Sequence, residues 1–92
     1  MHNALIPLEQ VAALRILVTL LEDKELTLTA LSNKIKCSHS ALYSALRKLY
    51  DANLIMETRE KDFPRRRLIS LTDKGKKIAE LLVEIERILG SD

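Results

Sequence analysis

The side chains best suited to chemical contacts are concentrated in residues 38–53. Hydrogen-bonding and basic groups recur there at helical spacing, at His39, Ser40, Tyr43, Ser44, Arg47 and Lys48. The row contains no carboxylate before Asp51. Hydroxyl and guanidinium groups bond to base edges, and cationic side chains pair with phosphates. The row suits a surface for nucleic acid. From this stretch alone, however, an ordinary amphipathic helix with a solvated polar face is the favoured interpretation, and the rest of the chain has to shift that balance.

Apolar residues in the same stretch explain how this row would be presented. They recur at helical spacing on the other side, at Leu42, Ala45, Leu46 and Leu49, and would face a core. Ser38 suits the N-cap, because its hydroxyl can accept a hydrogen bond from an unpaired amide of the first turn. Asn53 tolerates the left-handed conformation that often ends a helix. The pattern predicts a helix over 38–53 with its polar side outward.

The charge of the chain is distributed unevenly. The formal net charge is only +2 over 92 residues. Residues 27–50, however, carry four cations and no acid. A basic segment between more neutral or acidic ones suits a surface that faces phosphates.

Other features limit the class of protein. The N-terminus lacks the pattern of a secretion signal, and the unbroken apolar runs of the sequence, such as residues 16–18, are too short to span a membrane. The single cysteine cannot form an internal disulfide. We therefore expect a cytoplasmic protein with no membrane partner.

No group of residues has the spacing of a catalytic, metal or cofactor site. His2 and His39 lie far apart, and no cysteine or carboxylate cluster has metal-ligand spacing. The two glycines are isolated, so there is no phosphate-binding loop. Cys37 is more typical of a small core residue than of a redox switch. We expect no metal, no cofactor and no enzyme activity.

The N-terminal half is predicted to hold two further helices and a short strand. Pro7 suits a helix start, because its missing N–H is not needed there. A first helix is therefore predicted over 8–22, behind a short arm, 1–7. Its apolar residues cover more than one face, which in so small a domain predicts contact with another subunit. A strand over 26–28 and a helix over 30–36, capped by Thr29, are predicted to follow.

The C-terminal half is predicted to hold a β-hairpin and a last helix. Residues 54–59 and 66–71 have strand composition, and Pro64 breaks regular structure between them. Thr72 would cap a helix over 73–89, in which Gly75 is slightly unfavourable and the apolar stripe has coiled-coil-like spacing.

The order of elements predicts one α+β, mainly helical domain over residues 1–92. Two short helices joined by a brief turn form a helix-turn-helix. The sequence of helix, short strand, helix, helix, β-hairpin wing and C-terminal helix is that of a winged helix-turn-helix. The helices over 8–22 and 73–89 are the expected dimerisation surface.

Five short segments resemble the winged-helix core of MarR-type transcriptional regulators. They are residues 27–32, 37–42, 46–49, 53–55 and 69–75, and the Leu-Thr-Asp-Lys-Gly junction in the last segment is the most specific. The resemblance covers roughly residues 26–78 and indicates a short member of the family. It implies a homodimer that binds a pseudo-palindromic operator in double-stranded DNA and regulates transcription.

The resemblance also implies which side chains contact DNA. The helix would read bases from the major groove, and the wing over 60–67 would contact the backbone or the minor groove. The predicted DNA-binding residues are Ser38, His39, Ser40, Tyr43, Ser44, Arg47 and Lys48 on the helix and Lys61, Arg65 and Arg66 on the wing.

Two expectations for the wing come from the residues themselves. Side chains alternate in a strand, so the run 65–67 cannot contact one phosphate track with all three arginines. One or two of them should contact DNA, and one should pair with Glu57 or Glu60. Phe63 is expected to pack on the base of the wing.

Two alternative functions are consistent with the same sequence. One is a winged-helix protein–protein interaction module. The other is a sequence-tolerant architectural DNA-binding protein, for which a more basic composition than +2 would be typical.

Overall fold

The computed structural model describes residues 3–91. A 3-10 helix (Asn3–Glu9) is followed by α1 (Ala13–Asp23), β1 (Glu25–Thr27), α2 (Leu28–Ile35), α3 (His39–Asp51), β2 (Ile55–Arg59), β3 (Arg67–Leu71) and α4 (Asp73–Leu89). The strands form one antiparallel sheet in the order β1-β3-β2. Within the hairpin, Ile55 lies opposite Leu71 and Arg59 lies opposite Arg67. The predicted fold class and order of elements are confirmed.

A single hydrophobic core holds these elements together. α1 lies at its centre and contacts α2, α3, α4 and β3. Its buried residues are Ala13, Ile16, Leu17 and Leu20. α3 contributes its four predicted apolar residues, all of them buried. Because that stripe of α3 packs inward, its polar side is turned to solvent.

The predicted ends of α3 and the start of α4 are confirmed. The Ser38 hydroxyl accepts a hydrogen bond from the N–H of Ala41 at 3.1 Å. Asn53, just beyond α3, has a φ of 62°, in the left-handed region. The Thr72 hydroxyl accepts from the N–H of Gly75 at 3.0 Å.

The predicted start of the first helix is wrong. α1 begins at Ala13, five residues later than expected, and the 3-10 helix precedes it. Ala12 has a φ of 74°, and the two helices are bent by 75° at this break. The bend allows Leu8 to pack against the core and brings Gln10 to α3. Residues 1 and 2 of the predicted arm lie outside the described residues.

The predicted cap of α2 is also wrong. Thr27, not Thr29, accepts a hydrogen bond from the N–H of Ala30, at 3.2 Å. The reason is geometric, because Thr27 ends β1 with an extended backbone, as an N-cap requires. α2 therefore begins at Leu28 rather than Ala30.

No single helix within residues 3–91 is long and apolar enough to cross a membrane. The bent pair of the 3-10 helix and α1 meets the requirement by length and composition alone. Four of the apolar residues of α1 are buried in the core of the domain.

The end of α3 is fastened to the start of α4 by a close backbone crossing. The Thr72 hydroxyl donates to the carbonyl oxygen of Asn53 at 2.7 Å. The backbone N–H of Thr72 donates to the carbonyl oxygen of Leu54 at 3.1 Å. A Cβ atom on Gly75 would lie 2.8 Å from the carbonyl carbon of Leu54 and closer still to its oxygen. A glycine that is unfavourable for an isolated helix is thus required by the crossing.

Replacing Gly75 with alanine should destabilise the fold. In an ordinary helix interior, Gly→Ala gains about 1 kcal/mol. Here the new methyl group meets backbone atoms that cannot rotate away, so we expect a loss of at least about 2 kcal/mol in the free energy of unfolding. Chemical denaturation followed by circular dichroism would measure it.

Gly90→Ala is the matched control. A Cβ atom on Gly90 would lie 3.4 Å from its nearest neighbour, an ordinary contact. The free energy of unfolding should then change by no more than about 0.5 kcal/mol. Equal stabilities for the two variants would contradict the proposed role of the crossing.

Candidate nucleic-acid interface

The polar face of α3 is exposed along its whole length. All seven residues predicted from this helix and its cap are exposed. The rings of His39 and Tyr43 meet edge to face, with centroids 6.2 Å apart. At 3.6 residues per turn, Ser40, Ser44 and Arg47 lie along the ridge opposite the buried stripe. The structure thus brings the predicted helix residues together on one surface.

The segment before α1 borders this surface on one side. The Ser44 hydroxyl donates to the side-chain oxygen of Gln10 at 3.0 Å. The sequence contained no signal for this contact, because the two residues are 34 positions apart and the break before α1 was not predicted. Ser44, a predicted DNA contact, is therefore hydrogen-bonded within the chain.

The wing borders the surface on the other side, and its arginines are not equivalent. The Arg66 guanidinium donates to the two carboxylate oxygens of Glu60 at 2.9 and 3.1 Å, and the backbone N–H of Arg66 donates to the same group at 3.0 Å. These bonds hold the pKa of Glu60 below its usual value and raise the pKa of Arg66. Arg67 lies 3.7 Å from Glu57.

One arginine of the run 65–67 was expected to pair with Glu57 or Glu60, but two do. Arg66 pairs with Glu60 and Arg67 pairs with Glu57. Arg66, a predicted DNA contact, is held by Glu60, because the two residues face each other across the end of the hairpin. Lys61 and Arg65 are exposed and form no ion pair within residues 3–91. The expectation that Phe63 packs on the base of the wing is also wrong, because this residue is 93% exposed.

A hydrogen-bonded network joins the wing to α3. The Tyr50 hydroxyl donates to one carboxylate oxygen of Glu57 at 3.1 Å, and the other oxygen lies 3.7 Å from the Arg67 guanidinium. Burial, then the negative charge and hydrogen bond of Glu57, raise the pKa of Tyr50 to about 12, which Arg67 partly opposes. A crevice of about 250 Å³ lies beside the network, with Tyr43 and Arg47 in its lining.

Sequence reasoning missed this network. Tyr50 occupies the edge of the apolar stripe, and the acids of the hairpin give no indication of which basic or phenolic group they meet. The network joins the base of the wing to α3.

Cysteine and histidine take no part in a metal cluster here. Within residues 3–91, no group of three or more His, Cys, Asp or Glu side chains could hold a metal ion. Cys37 is half-buried and packs against the core. His2 lies outside the described residues.

Comparisons with known proteins give a family match and relatives that are transcriptional regulators. Residues 11–91 match the family described as HxlR-like helix-turn-helix. The HTH-type transcriptional regulator SarZ of Staphylococcus epidermidis is 31% identical over 72 residues, which are 78% of this chain and 49% of SarZ. The chain spans about half the length of the curated relatives that it matches.

Solved structures agree with the family match. A mutant of Lactococcus lactis ZitR in its apo form has a TM-score of 0.74 at 32% identity, over 86% of this chain and 60% of that chain. A MarR-family protein from Porphyromonas gingivalis has a TM-score of 0.76 at 22% identity, over 92% of this chain and 83% of that chain, a likeness that shows the fold alone. The winged-helix fold that the resemblance to MarR-type regulators implies is confirmed, and the family whose model matches is the HxlR-like one.

The contact between Tyr50 and Glu57 can be tested by titration. The chain has two tyrosines, so a Tyr43→Phe background leaves Tyr50 as the only phenol, and its ultraviolet absorbance should show a pKa of about 12. Adding Glu57→Gln removes the negative charge and replaces one carboxylate oxygen with an NH2 group, so the pKa of Tyr50 should fall. It should stay above 10.0, because burial, the largest cause of the shift, remains.

The same shift predicts a loss of stability in alkali. The pKa of Tyr50 is higher in the folded than in the unfolded chain, so its contribution is complete below pH 10 and disappears as pH rises through about 12. A Tyr50→Phe variant should lack this part of the decline. An unchanged Tyr50 midpoint after Glu57→Gln would contradict the network.

Proposed function

This chain belongs to the HxlR-like helix-turn-helix family, and from that premise we propose that it regulates transcription as a homodimer bound to double-stranded DNA. Helix α3 enters the major groove, and the wing over 60–67 contacts the backbone or the minor groove. The observation that carries the proposal is the arrangement of α3, whose polar face is exposed along its length beside a braced wing.

The exposed side chains of α3 suit the major groove. Hydroxyl groups such as that of Ser40 bond to several bases, and arginine bonds to guanine with two parallel hydrogen bonds. Tyr43 and His39 lie beside Ser40 at the start of the helix, the part that meets base edges in helix-turn-helix proteins. Arg47 lies two turns further along and reaches a base or a phosphate.

The wing supplies phosphate contacts that do not depend on sequence. Lys61 and Arg65 are the predicted contacts that remain unpaired within residues 3–91. Arg66 braces the wing through Glu60, and this role takes precedence over a DNA contact. Each phosphate that the wing neutralises adds to the salt dependence of binding.

An exposed apolar surface supports the homodimer. The C-terminal half of α4 leaves Leu81, Ile85, Ile88 and Leu89 between 51% and 79% exposed. Leu14 of α1 is 45% exposed, and a groove of about 330 Å³ separates α1 from this part of α4. A second copy of the chain that covers these residues would complete the dimer and set two α3 helices about 34 Å apart, in successive major grooves.

Selection of bound duplexes from a random pool at about 150 mM salt would test the function. The expected winner is an inverted repeat, bound at least about 1,000-fold more tightly than a scrambled duplex. Enrichment of no motif, with affinity that falls steeply with salt, would favour an architectural DNA-binding protein instead. Absence of binding would favour a protein–protein interaction module.

Base contacts and phosphate contacts should respond differently to substitution. Ser40→Ala or Tyr43→Ala should reduce the discrimination between operator and random DNA more than the affinity for random DNA. Arg65→Ala should weaken binding to both and, with two copies per dimer, reduce the salt slope by about 2. Filter binding over a salt series measures both quantities.

Arg87→Ala, which removes the same charge from α4, is the matched control. Arg87 pairs with Glu84 on its own helix, so the salt slope should remain that of the unaltered protein. If Ser40→Ala and Tyr43→Ala weaken operator and random DNA equally, the assignment of base reading to these residues fails.

Charge placed on the apolar surface should separate the protomers. Ile85→Lys combined with Ile88→Lys puts two cations where the partner helix would pack, so light scattering should give the protomer mass of 10.5 kDa. Val83→Lys is the control, because two residues in a helix place Val83 about 160° from Ile85. That variant should remain dimeric, and a dimeric double variant would contradict the proposed interface.

A further inference from the structure

The wing ends in a tight turn with an apolar tip. The N–H of Arg65 donates to the carbonyl oxygen of Asp62 at 2.8 Å. This bond closes a four-residue turn with Phe63 and Pro64 at its central positions. The N–H of Glu60 donates to the carbonyl oxygen of Arg66 at 3.0 Å, so the hairpin is paired up to the turn. Phe63 is thus held at the outer end of the wing.

The ring of Phe63 contributes nothing to the core. Its exposed fraction, 93%, is the largest of any large hydrophobic side chain in residues 3–91. Tyr43, the aromatic residue on the reading face of α3, is 51% exposed by comparison. A ring that stays in water adds almost no hydrophobic stabilisation to the folded chain. Its apolar surface remains available for contact with a second molecule.

The charges around the tip indicate which second molecule. Lys61 and Arg65 flank the turn, both exposed and both outside the ion pairs of residues 3–91. The Arg59 guanidinium donates to the carbonyl oxygen of Arg65, at 3.3 Å. The carboxylates of Glu57 and Glu60 are paired with the other two arginines of the wing.

Positive charge is therefore in excess at the tip, where Asp62 is the one carboxylate of the turn. An apolar ring between unpaired cations suits an apolar crevice edged by phosphates. The minor groove of DNA offers this combination, since base pairs stack between two rows of phosphates.

We propose that Phe63 is a wedge that enters between two base pairs from the minor groove and bends the duplex. The proposal rests on the DNA-bound wing of the proposed function. A phenylalanine inserted in this way partly unstacks one base step and kinks the DNA by roughly 20–90°. Pyrimidine–purine steps deform most easily, so the ring would select binding sites by the local flexibility of the DNA.

The contacts between the wing and α3 should hold the inserted ring at a fixed distance from the bases that α3 contacts. The contacts of Tyr50, Glu57 and Arg67 hold the base of the wing relative to α3. The step that Phe63 opens therefore lies at a constant distance from the bases read by α3. A TA or CA/TG step should recur at that distance in both half-sites of the operator.

The test compares the full chain with Phe63→Ala and Phe63→Leu in the same selection from random duplexes. The unaltered protein should enrich the pyrimidine–purine step, and Phe63→Ala should lose that preference while the bases read by α3 stay the same. The bend of an end-labelled operator, measured by energy transfer, should fall by at least half in Phe63→Ala. Phe63→Leu keeps an apolar wedge and should retain part of the bend.

A local probe and a charge control complete the experiment. A 2-aminopurine placed in the step should brighten on binding of the unaltered protein and much less with Phe63→Ala. Lys61→Ala should reduce the salt slope and leave the bend unchanged. Thermal unfolding of Phe63→Ala should match the parent, because the ring contacts no core.

Two results would overturn the wedge, and they are distinguishable. If the parent and Phe63→Ala bind the operator with the same bend and the same step preference, the wedge is wrong and the proposed function stands. If the parent binds no DNA, the proposed function fails and the wedge fails with it.

Discussion

The structure depends on the backbone crossing between the turn after α3 and the first turn of α4. Thr72 hydrogen-bonds to the carbonyl oxygens of Asn53 and Leu54, and Gly75 allows the two backbones to touch. The crossing lies at the start of β2 and just beyond the end of β3. It therefore sets the position of α3, the wing and α4 at once. A shift there would move all three relative to one another.

Most of the charge on the wing maintains its shape. Glu60 and Glu57 form ion pairs with two of the three consecutive arginines, and Glu57 also accepts a hydrogen bond from the Tyr50 hydroxyl of α3. These pairs are largely exposed, and exposed ion pairs contribute little to overall stability. Their effect is on the distribution of charge, because they leave the unpaired cations of the hairpin at its tip. The run of three arginines is thus divided into two that are paired and one that is not.

The two halves of α4 differ in burial. The first half packs into the core, where Gly75 and Ala79 are buried. The second half leaves larger apolar side chains exposed, namely Leu81, Ile85, Ile88 and Leu89. The change from small to large residues along the helix accounts for the difference, since small residues allow close approach to α1 and the crossing. Gln10, between the 3-10 helix and α1, contacts Ser44 on the exposed face of α3.

The sequence by itself determined the type and order of the elements, the caps of α3 and α4, and the exposed side of α3. These features follow from local rules, namely the apolar period of a helix and the hydrogen bonds of its first turn. The break at Ala12, the partners of the arginines, the exposure of Phe63 and the need for Gly75 were decided by the tertiary structure alone. Each of these features depends on contacts between residues that are distant in the chain, or on the lack of any such contact in the case of Phe63. No local pattern of the sequence specifies which of these groups will meet. The glycine is the clearest case, because local propensity counts it as a defect and the carbonyl group of Leu54 makes it a requirement.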